Sequence, residues 1–169
     1  MQTLGDMIVS KTLDKQNIEK YRLAARGIIY DGTKVLMIHS SFYDDCTFPG
    51  GGVENGEDVM VALHRECSEE AGIIVKNVRP FYKTIEKREL DNESYLIHES
   101  HFFLCEIEKF VPQHLESYEV ELGYKPIWIT VEEAIAKNLK KLALLKETDY
   151  AGVLERELRI LNALKENGF

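Results

Sequence analysis

The sequence predicts a mixed α/β domain whose sheet holds both parallel and antiparallel strands. Runs rich in β-branched and aromatic residues alternate along the chain with runs of helical spacing. Two long β-rich runs, 73–87 and 95–108, flank a short polar turn at residues 90–93, which indicates a long central hairpin. Because a hairpin is antiparallel while helices between strands favour parallel neighbours, these observations together predict a mixed sheet.

The first third of the chain predicts a β-hairpin followed by a long loop and a helix. Runs 22–30 and 35–39 are β-rich, and the Asp31-Gly32 pair between them favours a tight turn. Residues 40–55 are loop-like, with aromatic residues first and glycines last. A helix is then predicted from about residue 57 to residue 71. Asn55 or Gly56 can cap its start, and Gly72 suits the left-handed position that ends it.

The last part of the chain predicts one more strand and two helices. Residues 126–130 form a short β-rich run, and Thr130-x-x-Glu133 is a capping-box pattern that opens a helix from 131 to about 137. Apolar residues recur at helical spacing from about 146 to 165, which predicts an amphipathic C-terminal helix packed on the domain. No repeat or linker divides the chain, so residues 1–169 are predicted to form a single domain.

Composition narrows the class of function. The net charge of −8 argues against a general nucleic-acid binder, but a bound divalent cation can reverse the local field for a small phosphorylated substrate. No apolar stretch reaches the roughly 18 residues that span a membrane, and the N-terminal residues lack the features of a secretory signal. Cys46, Cys67 and Cys105 match neither a zinc site nor a disulfide framework, which favours reduced thiols and a cytoplasmic location.

The chemistry is concentrated between residues 51 and 73. On a helix, Glu66, Glu69 and Glu70 fall within an arc of about 100°. Like charges at these spacings destabilise a helix by about 0.2–0.5 kcal/mol per pair. The same face begins with apolar residues, so the carboxylates continue the packed stripe instead of occupying the solvated side. A hard divalent cation with oxygen ligands neutralises such a cluster best.

The residues around the three carboxylates support the same interpretation. The glycines at positions 50–52 remove side chains where a backbone must approach a ligand closely. Arg65, four residues before Glu69, can hold a carboxylate with its planar guanidinium group. Glu57 lies near the positive end of the helix dipole, where a negative charge is favoured. These features predict a site for one or more Mg²⁺ ions that hold a diphosphate.

This segment resembles the Nudix box of MutT-like hydrolases, Gly-x5-Glu-x7-Arg-Glu-U-x-Glu-Glu-x-Gly-U, where U is a bulky aliphatic residue. The matching positions are Gly51, Glu57, Arg65, Glu66, Glu69, Glu70, Gly72 and Ile73. Cys67 departs from the pattern at the first U position, which changes packing and leaves the carboxylates intact. A chance match to the fixed positions has a probability of about 10⁻⁸. The resemblance implies an α/β/α sandwich with a mixed sheet and a catalytic loop and helix.

The resemblance also implies a metal site. Glu66, Glu69 and Glu70 would coordinate Mg²⁺, or Mn²⁺ in its place, together with a main-chain carbonyl near Gly50 or Gly51. The candidates for the general base are Glu69, Glu70 and a glutamate from a later loop.

That later loop supplies an outlying carboxylate, for which Glu119 or Glu121 is favoured as a further metal-site residue. Glu57 is either another metal ligand or a residue that orients the metal-binding glutamates through Arg65. Glu57 and Arg65 are therefore catalytic candidates, together with Glu69 and Glu70. Arg26 and Phe48, which lie upstream of the box, are the candidate substrate-binding residues.

The implied activity is hydrolysis of the diphosphate bond of a nucleoside diphosphate linked to another moiety, by attack of a metal-activated water. Marks of several subfamilies are absent: Arg88-Glu89 stands where ADP-ribose hydrolases tend to carry a proline. A nucleoside triphosphate or a nucleotide-sugar is therefore the default substrate. A non-catalytic nucleotide sensor of the same fold and an RNA 5′-end pyrophosphohydrolase are the alternatives. The expected partner is a small molecule, without a membrane or a nucleic-acid polymer, and a homodimer is compatible with the resemblance.

Overall fold

A computed structural model describes residues 1–8, 18–89, 95–145 and 150–169 of the chain. The elements in chain order are β1 (Gln2–Ile8), β2 (Ile18–Ile29), β3 (Val35–Ser40), β4 (Asp45–Thr47), β5 (Gly50–Gly52), α1 (Val59–Ala71), β6 (Ile73–Glu89), β7 (Tyr95–Phe110), α2 (Ser117–Glu121), β8 (Tyr124–Ile129), α3 (Val131–Leu145) and α4 (Tyr150–Glu166).

The strands form two sheets, and the larger one is mixed as predicted. Its order is β1-β6-β7-β2-β5, and the smaller sheet has the order β4-β3-β8. β6 and β7 are the two arms of the long antiparallel hairpin, while β1 runs parallel to β6 and β2 runs parallel to β7. The predicted polar turn at 90–93 lies outside the described residues. β2 pairs with β5, which consists of Gly50–Gly52 and is called the glycine segment below. This pairing brings the glycine segment alongside the central strands.

Helices cover both sides of the strands, which confirms the α/β/α sandwich. One buried cluster lies between α1 and the sheets and includes Ala25, Leu63 and Phe103. A second cluster lies on the opposite side, under α3 and α4, and includes Ile28 and Phe102. Within the described residues, none of the helices has both the length and the apolarity needed to cross a membrane.

The predicted helices exist, but some of their ends differ. α1 begins at Val59 because the Asp58 side chain accepts a hydrogen bond from the Met60 amide, so the predicted caps Asn55 and Gly56 are wrong. Gly72 ends α1 in the left-handed conformation (φ 65°), as predicted. Thr130 and Glu133 exchange the expected hydrogen bonds.

The last two helices also differ in extent from their predicted ranges. α3 continues to Leu145, eight residues beyond its predicted end at 137. α4 is described from Tyr150, and residues 146–149 of the predicted helix lie outside the described part.

A polar cluster joins strands β2, β6 and β7 of the larger sheet. Tyr21 and Lys83 donate hydrogen bonds to the Glu99 carboxylate at 2.7 and 2.9 Å, and His101 Nε2 lies 2.6 Å from it. Burial alone raises the pKa of Glu99, but these hydrogen bonds outweigh it and lower that pKa to about 2.

Candidate active site

Helix α1 turns its carboxylates towards the glycine segment. Glu66 and Glu70 are both buried, whereas the Glu69 side chain is 37% exposed. Burial raises the pKa of Glu66, although hydrogen bonds and charge from Arg65 oppose the increase. Two buried carboxylates on adjacent turns of one helix repel each other, so positive charge is required to hold both in the ionised state.

Strand β5 presents a bare backbone to these carboxylates. A Cβ added at Gly51 would lie 2.6 Å from the carboxyl carbon and from both oxygens of Glu66, so any side chain here would displace the Glu66 carboxylate. The Gly50 amide donates a hydrogen bond to Glu70 Oε2 at 2.7 Å. Burial raises the pKa of Glu70 to about 8, while this amide and the nearby Arg26 lower it. The backbone of β5 and the carboxylates of α1 are therefore in direct contact.

Arg65 joins the box residues to one another. Its Nε and Nη2 donate to the two oxygens of Glu57 at 2.9 and 3.0 Å. Its Nη1 donates to Glu66 at 2.8 Å and to Glu69 at 3.2 Å, and Nη2 also reaches the Gly52 carbonyl at 3.0 Å. One guanidinium group thus fixes three carboxylates and the glycine segment, which is the positioning role expected of Arg65.

The carboxylates line an open cleft of about 250 Å³. This volume is close to the lower end of the range of about 300–1,000 Å³ for small-molecule sites. Residues from several other elements also line it: Arg22, Arg26, Leu96, His98, Glu116, Tyr118, Glu119, Tyr124, Tyr150, Val153 and Arg156. The cleft therefore carries both carboxylates and guanidinium groups, a combination that can bind cations and phosphate oxygens side by side.

The family model of the NUDIX domain matches residues 20–149, which is more than half of the chain. The chain belongs to the NUDIX family. The matched segment contains the glycine segment, helix α1 and most of the residues that line the cleft. Helix α4, which supplies Tyr150, Val153 and Arg156, begins directly after its end.

Individual relatives resemble parts of this NUDIX chain. An ADP-ribose pyrophosphatase of Methanocaldococcus jannaschii is 36% identical over 85 residues, which cover 45% of the chain and 50% of that protein. Nudix hydrolase 17, mitochondrial, of Arabidopsis thaliana is 42% identical over 55 residues, which cover 32% of the chain and 30% of that protein. The chain thus spans half or less of the length of these curated relatives.

A solved structure shows the same fold over most of the chain. It is a NUDIX hydrolase from Nitrosomonas europaea, with a TM-score of 0.59 and 18% identity, and the match covers 85% of this chain and 90% of that one.

The donor set of the NUDIX site fits a hard divalent cation. Its atoms are carboxylate oxygens of α1 and backbone oxygens of a segment where a side chain would strike Glu66. Among the described residues, no three His, Cys, Asp or Glu side chains already converge as a metal cage. Here the Arg65 guanidinium lies between Glu57, Glu66 and Glu69 and supplies positive charge to them.

Of the sequence-predicted residues outside the box, Arg26 and Glu119 line the cleft, whereas Phe48 and Glu121 do not. The Phe48 ring is fully buried in the core beside Phe102, so its side chain cannot contact a substrate, and its prediction as a substrate-binding side chain is wrong. Arg26 lines the cleft, but its Nη1 donates to the Phe48 and Gly50 carbonyls at 3.1 and 2.8 Å. Glu121 is exposed at the end of α2 and does not line the cleft, whereas Glu119 is buried and does.

Sequence reasoning missed the contribution of α4 and of the neighbouring strands to the cleft. Arg156 and Glu157 stand among leucines in an apolar helical run, and both are buried. Two adjacent charged residues at positions that an amphipathic helix buries are a usable signal, because full burial of charge requires specific partners. No comparable signal marks Arg22 or His98, which reach the cleft through strand register.

Proposed function

We propose that this chain is a divalent-metal-dependent pyrophosphohydrolase that cleaves the diphosphate bond of a nucleoside diphosphate linked to another moiety. The observation that carries the proposal is that Glu66, Glu69 and Glu70 line one open cleft of a NUDIX chain, where Glu66 and Glu70 lie against the Gly50–Gly51 backbone. The resemblance to an ADP-ribose pyrophosphatase supports a small nucleotide as the partner.

Glu66, Glu69 and Glu70 are the side chains that would hold the metal, with a backbone carbonyl of Gly50 or Gly51. Hydrolases of this family generally depend on divalent metals, and all of these donors are hard oxygens, which favour Mg²⁺ or Mn²⁺. When bound, the cation neutralises the diphosphate and lowers the pKa of a coordinated water.

The chain's own residues position these donors and receive a proton. Arg65 holds Glu57, Glu66 and Glu69 in fixed orientations. A carboxylate in the cleft takes the proton of the attacking water. Glu69 and Glu70 remain candidates for this role, since their carboxylates line the cleft.

Glu119 is the candidate from outside the box. It lies within the cleft, although its two oxygens accept hydrogen bonds from the Glu116 amide and the Tyr118 hydroxyl, at 2.8 and 2.9 Å. Any role in proton transfer has to compete with those bonds. Glu121 is no longer favoured, because it is exposed outside the cleft.

The substrate class that we propose is a nucleoside diphosphate derivative, without a choice among its members. The relative that acts on ADP-ribose favours that compound, whereas Arg88-Glu89 at the position of the expected proline favours a nucleoside triphosphate or a nucleotide-sugar. All three groups carry the same P–O–P linkage and bring negative charge to Arg22 and Arg26 in the cleft.

The test is a substrate screen with Mg²⁺ over ADP-ribose, nucleotide-sugars and nucleoside triphosphates, scoring phosphate after coupled phosphatase treatment. Wild-type protein should turn over at least one group. Glu70→Gln keeps the side-chain shape and should lower kcat by about 10²-fold or more while nucleotide binding survives. Glu132→Gln is the matched control, because Glu132 is an exposed glutamate on α3. Nucleotide binding without hydrolysis of any compound by the wild type would instead indicate a sensor.

A further inference from the structure

The segment from Phe48 to Gly50 connects the two short strands before the active-site helix, and every hydrogen-bonding group of its backbone has a partner. The bonds are Phe48 N–H to Glu157 Oε2 (2.9 Å), Arg26 Nη1 to Phe48 O (3.1 Å), Gly27 N–H to Pro49 O (2.8 Å), Gly50 N–H to Glu70 Oε2 (2.7 Å) and Arg26 Nη1 to Gly50 O (2.8 Å). The segment is therefore held from three elements, β2, α1 and α4.

The contact from α4 differs from the others because it comes from beyond the matched family segment. That match ends at residue 149, and α4 begins at Tyr150. Glu157 is fully buried on this helix. Its Oε1 accepts hydrogen bonds from Arg156 Nε and Nη2 at 2.9 and 2.8 Å, which leaves Oε2 for the Phe48 amide.

Glu157 forms an ion pair with Arg156, the residue before it on α4, at 2.8 Å. Arg156 is also buried, and its Nη1 reaches Glu86 of β6 at 3.3 Å. A hydrogen bond from an amide to an ionised, buried acceptor is stronger than one to a neutral acceptor. Glu157 thus connects strand β6 of the larger sheet, through Arg156, to the Phe48–Gly50 segment of the active site.

We propose that Glu157 is a positioning residue of the active site, which sets the backbone of Gly50 and Gly51 by holding the Phe48 amide. Gly50 has little freedom to adjust by itself. It has φ 140°, and a Cβ there would lie 2.2 Å from the Ala25 carbonyl oxygen. A displacement of Phe48 should therefore also displace the backbone of Gly50 and Gly51. The Gly50 amide donates its hydrogen bond to Glu70, and Gly51 lies against the Glu66 carboxylate.

The proposal rests on the proposed function for its effect on catalysis, but its first tests need no turnover. Glu157→Gln removes the charge and keeps the shape. Hydrogen exchange of the metal-free protein, followed by NMR, should show the Phe48 and Gly50 amides exchanging about tenfold or more faster, with the β6 and β7 amides unchanged. Binding of Mn²⁺, measured by EPR titration, should weaken by about 10–100-fold, as when other groups that support metal ligands are removed.

The matched control is Glu155→Gln, which changes an exposed glutamate of the same helix and should move neither measurement. With a turned-over substrate, Glu157→Gln should lower kcat and leave KM within about twofold, because the segment positions reacting groups rather than the distal part of the substrate. A general loss of stability would accelerate exchange at all amides alike and would contradict the proposal.

A second variant keeps the proposal testable if Glu157→Gln does not fold. Glu157→Asp retains the charge that balances Arg156 but shortens the side chain by one methylene, so it should give the same local changes. Wild-type exchange at Phe48 and wild-type Mn²⁺ affinity in a folded Glu157 variant would overturn the positioning role. Absence of any hydrolysis by wild-type protein would overturn the proposed function alone, since exchange and Mn²⁺ binding still decide the role of Glu157.

Discussion

Gly51→Ala probes the contact between the glycine segment and the active-site helix. The new Cβ would lie 2.6 Å from the carboxyl carbon and from both oxygens of Glu66, whereas ordinary contacts begin at 3.4 Å. The Glu66 carboxylate must therefore move by about 0.8 Å. Since Mg²⁺–oxygen distances are confined to about 2.0–2.1 Å, such a displacement removes Glu66 as a ligand.

The expected loss is specific to metal binding. Displacement of a ligand should weaken Mn²⁺ binding by at least the 10–100-fold seen for supporting residues, which corresponds to about 1.4–2.8 kcal/mol. Gly51 does not have positive φ, so alanine adds no backbone strain, and it reduces the entropy of the unfolded chain by about 0.4–1 kcal/mol. The free energy of unfolding should therefore change by less than about 1 kcal/mol.

The assay pairs Mn²⁺ titration by EPR with urea unfolding of the same samples. Gly52→Ala is the matched control, because a Cβ there would first meet Arg22 at 3.5 Å, an ordinary contact, and φ is again not positive. Its Mn²⁺ affinity should stay within about twofold of the wild type. Wild-type Mn²⁺ affinity in a folded Gly51→Ala variant would refute the assignment of Glu66 as a ligand.

Three further predictions concern the rest of the molecule. Burial raises the pKa of the Cys46 and Cys105 thiols to about 12, so mass spectrometry should find both unmodified by iodoacetamide until urea unfolds the protein; rapid native labelling would contradict this. Asn138→Ala removes two buried hydrogen bonds to the Cys46 backbone, at 2.9 and 2.8 Å, and should lower the free energy of urea unfolding by about 2–5 kcal/mol; a loss below about 1 kcal/mol would argue against those bonds. Because the pKa of Glu99 is lowered from 4.5 to about 2, its contribution to stability is present above the unfolded pKa and is lost as pH falls towards 2. Glu99→Gln should therefore reduce the fall in urea midpoint between about pH 5 and pH 3, and an unchanged fall would count against the cluster.

The active-site helix was predictable because its signals are local. Three carboxylates on one helical face and Gly72 at its end all lie within a few turns. In the structure Glu66, Glu69 and Glu70 all line the same cleft. The N-terminal boundary was less predictable, since Asn55, Gly56 and Asp58 are all acceptable caps in sequence. Only the Asp58 hydrogen bond to Met60 decides among them.

The remaining features depend on distant partners. Gly50–Gly52 has no strand propensity and becomes β5 through pairing with β2. The burial of Arg156 and Glu157 depends on Glu86 and on the Phe48 amide, which are 70 and 109 residues away along the chain. A helical pattern identifies the apolar face of α4, but it does not reveal such partners. The placement of the Phe48 ring in the core is likewise set by the packing of Phe102 and its neighbours.

The most direct measurement is ³¹P NMR of a nucleoside diphosphate derivative selected in the screen, incubated with Mg²⁺ and the protein. Wild-type protein should convert the diphosphate resonances into those of the cleaved products, and a chelator should stop the conversion. Glu70→Gln should leave the diphosphate intact over the same time, while Glu132→Gln behaves as the wild type. Equal conversion by Glu70→Gln, or undiminished conversion in the presence of the chelator, would contradict hydrolysis by a metal held at the α1 carboxylates.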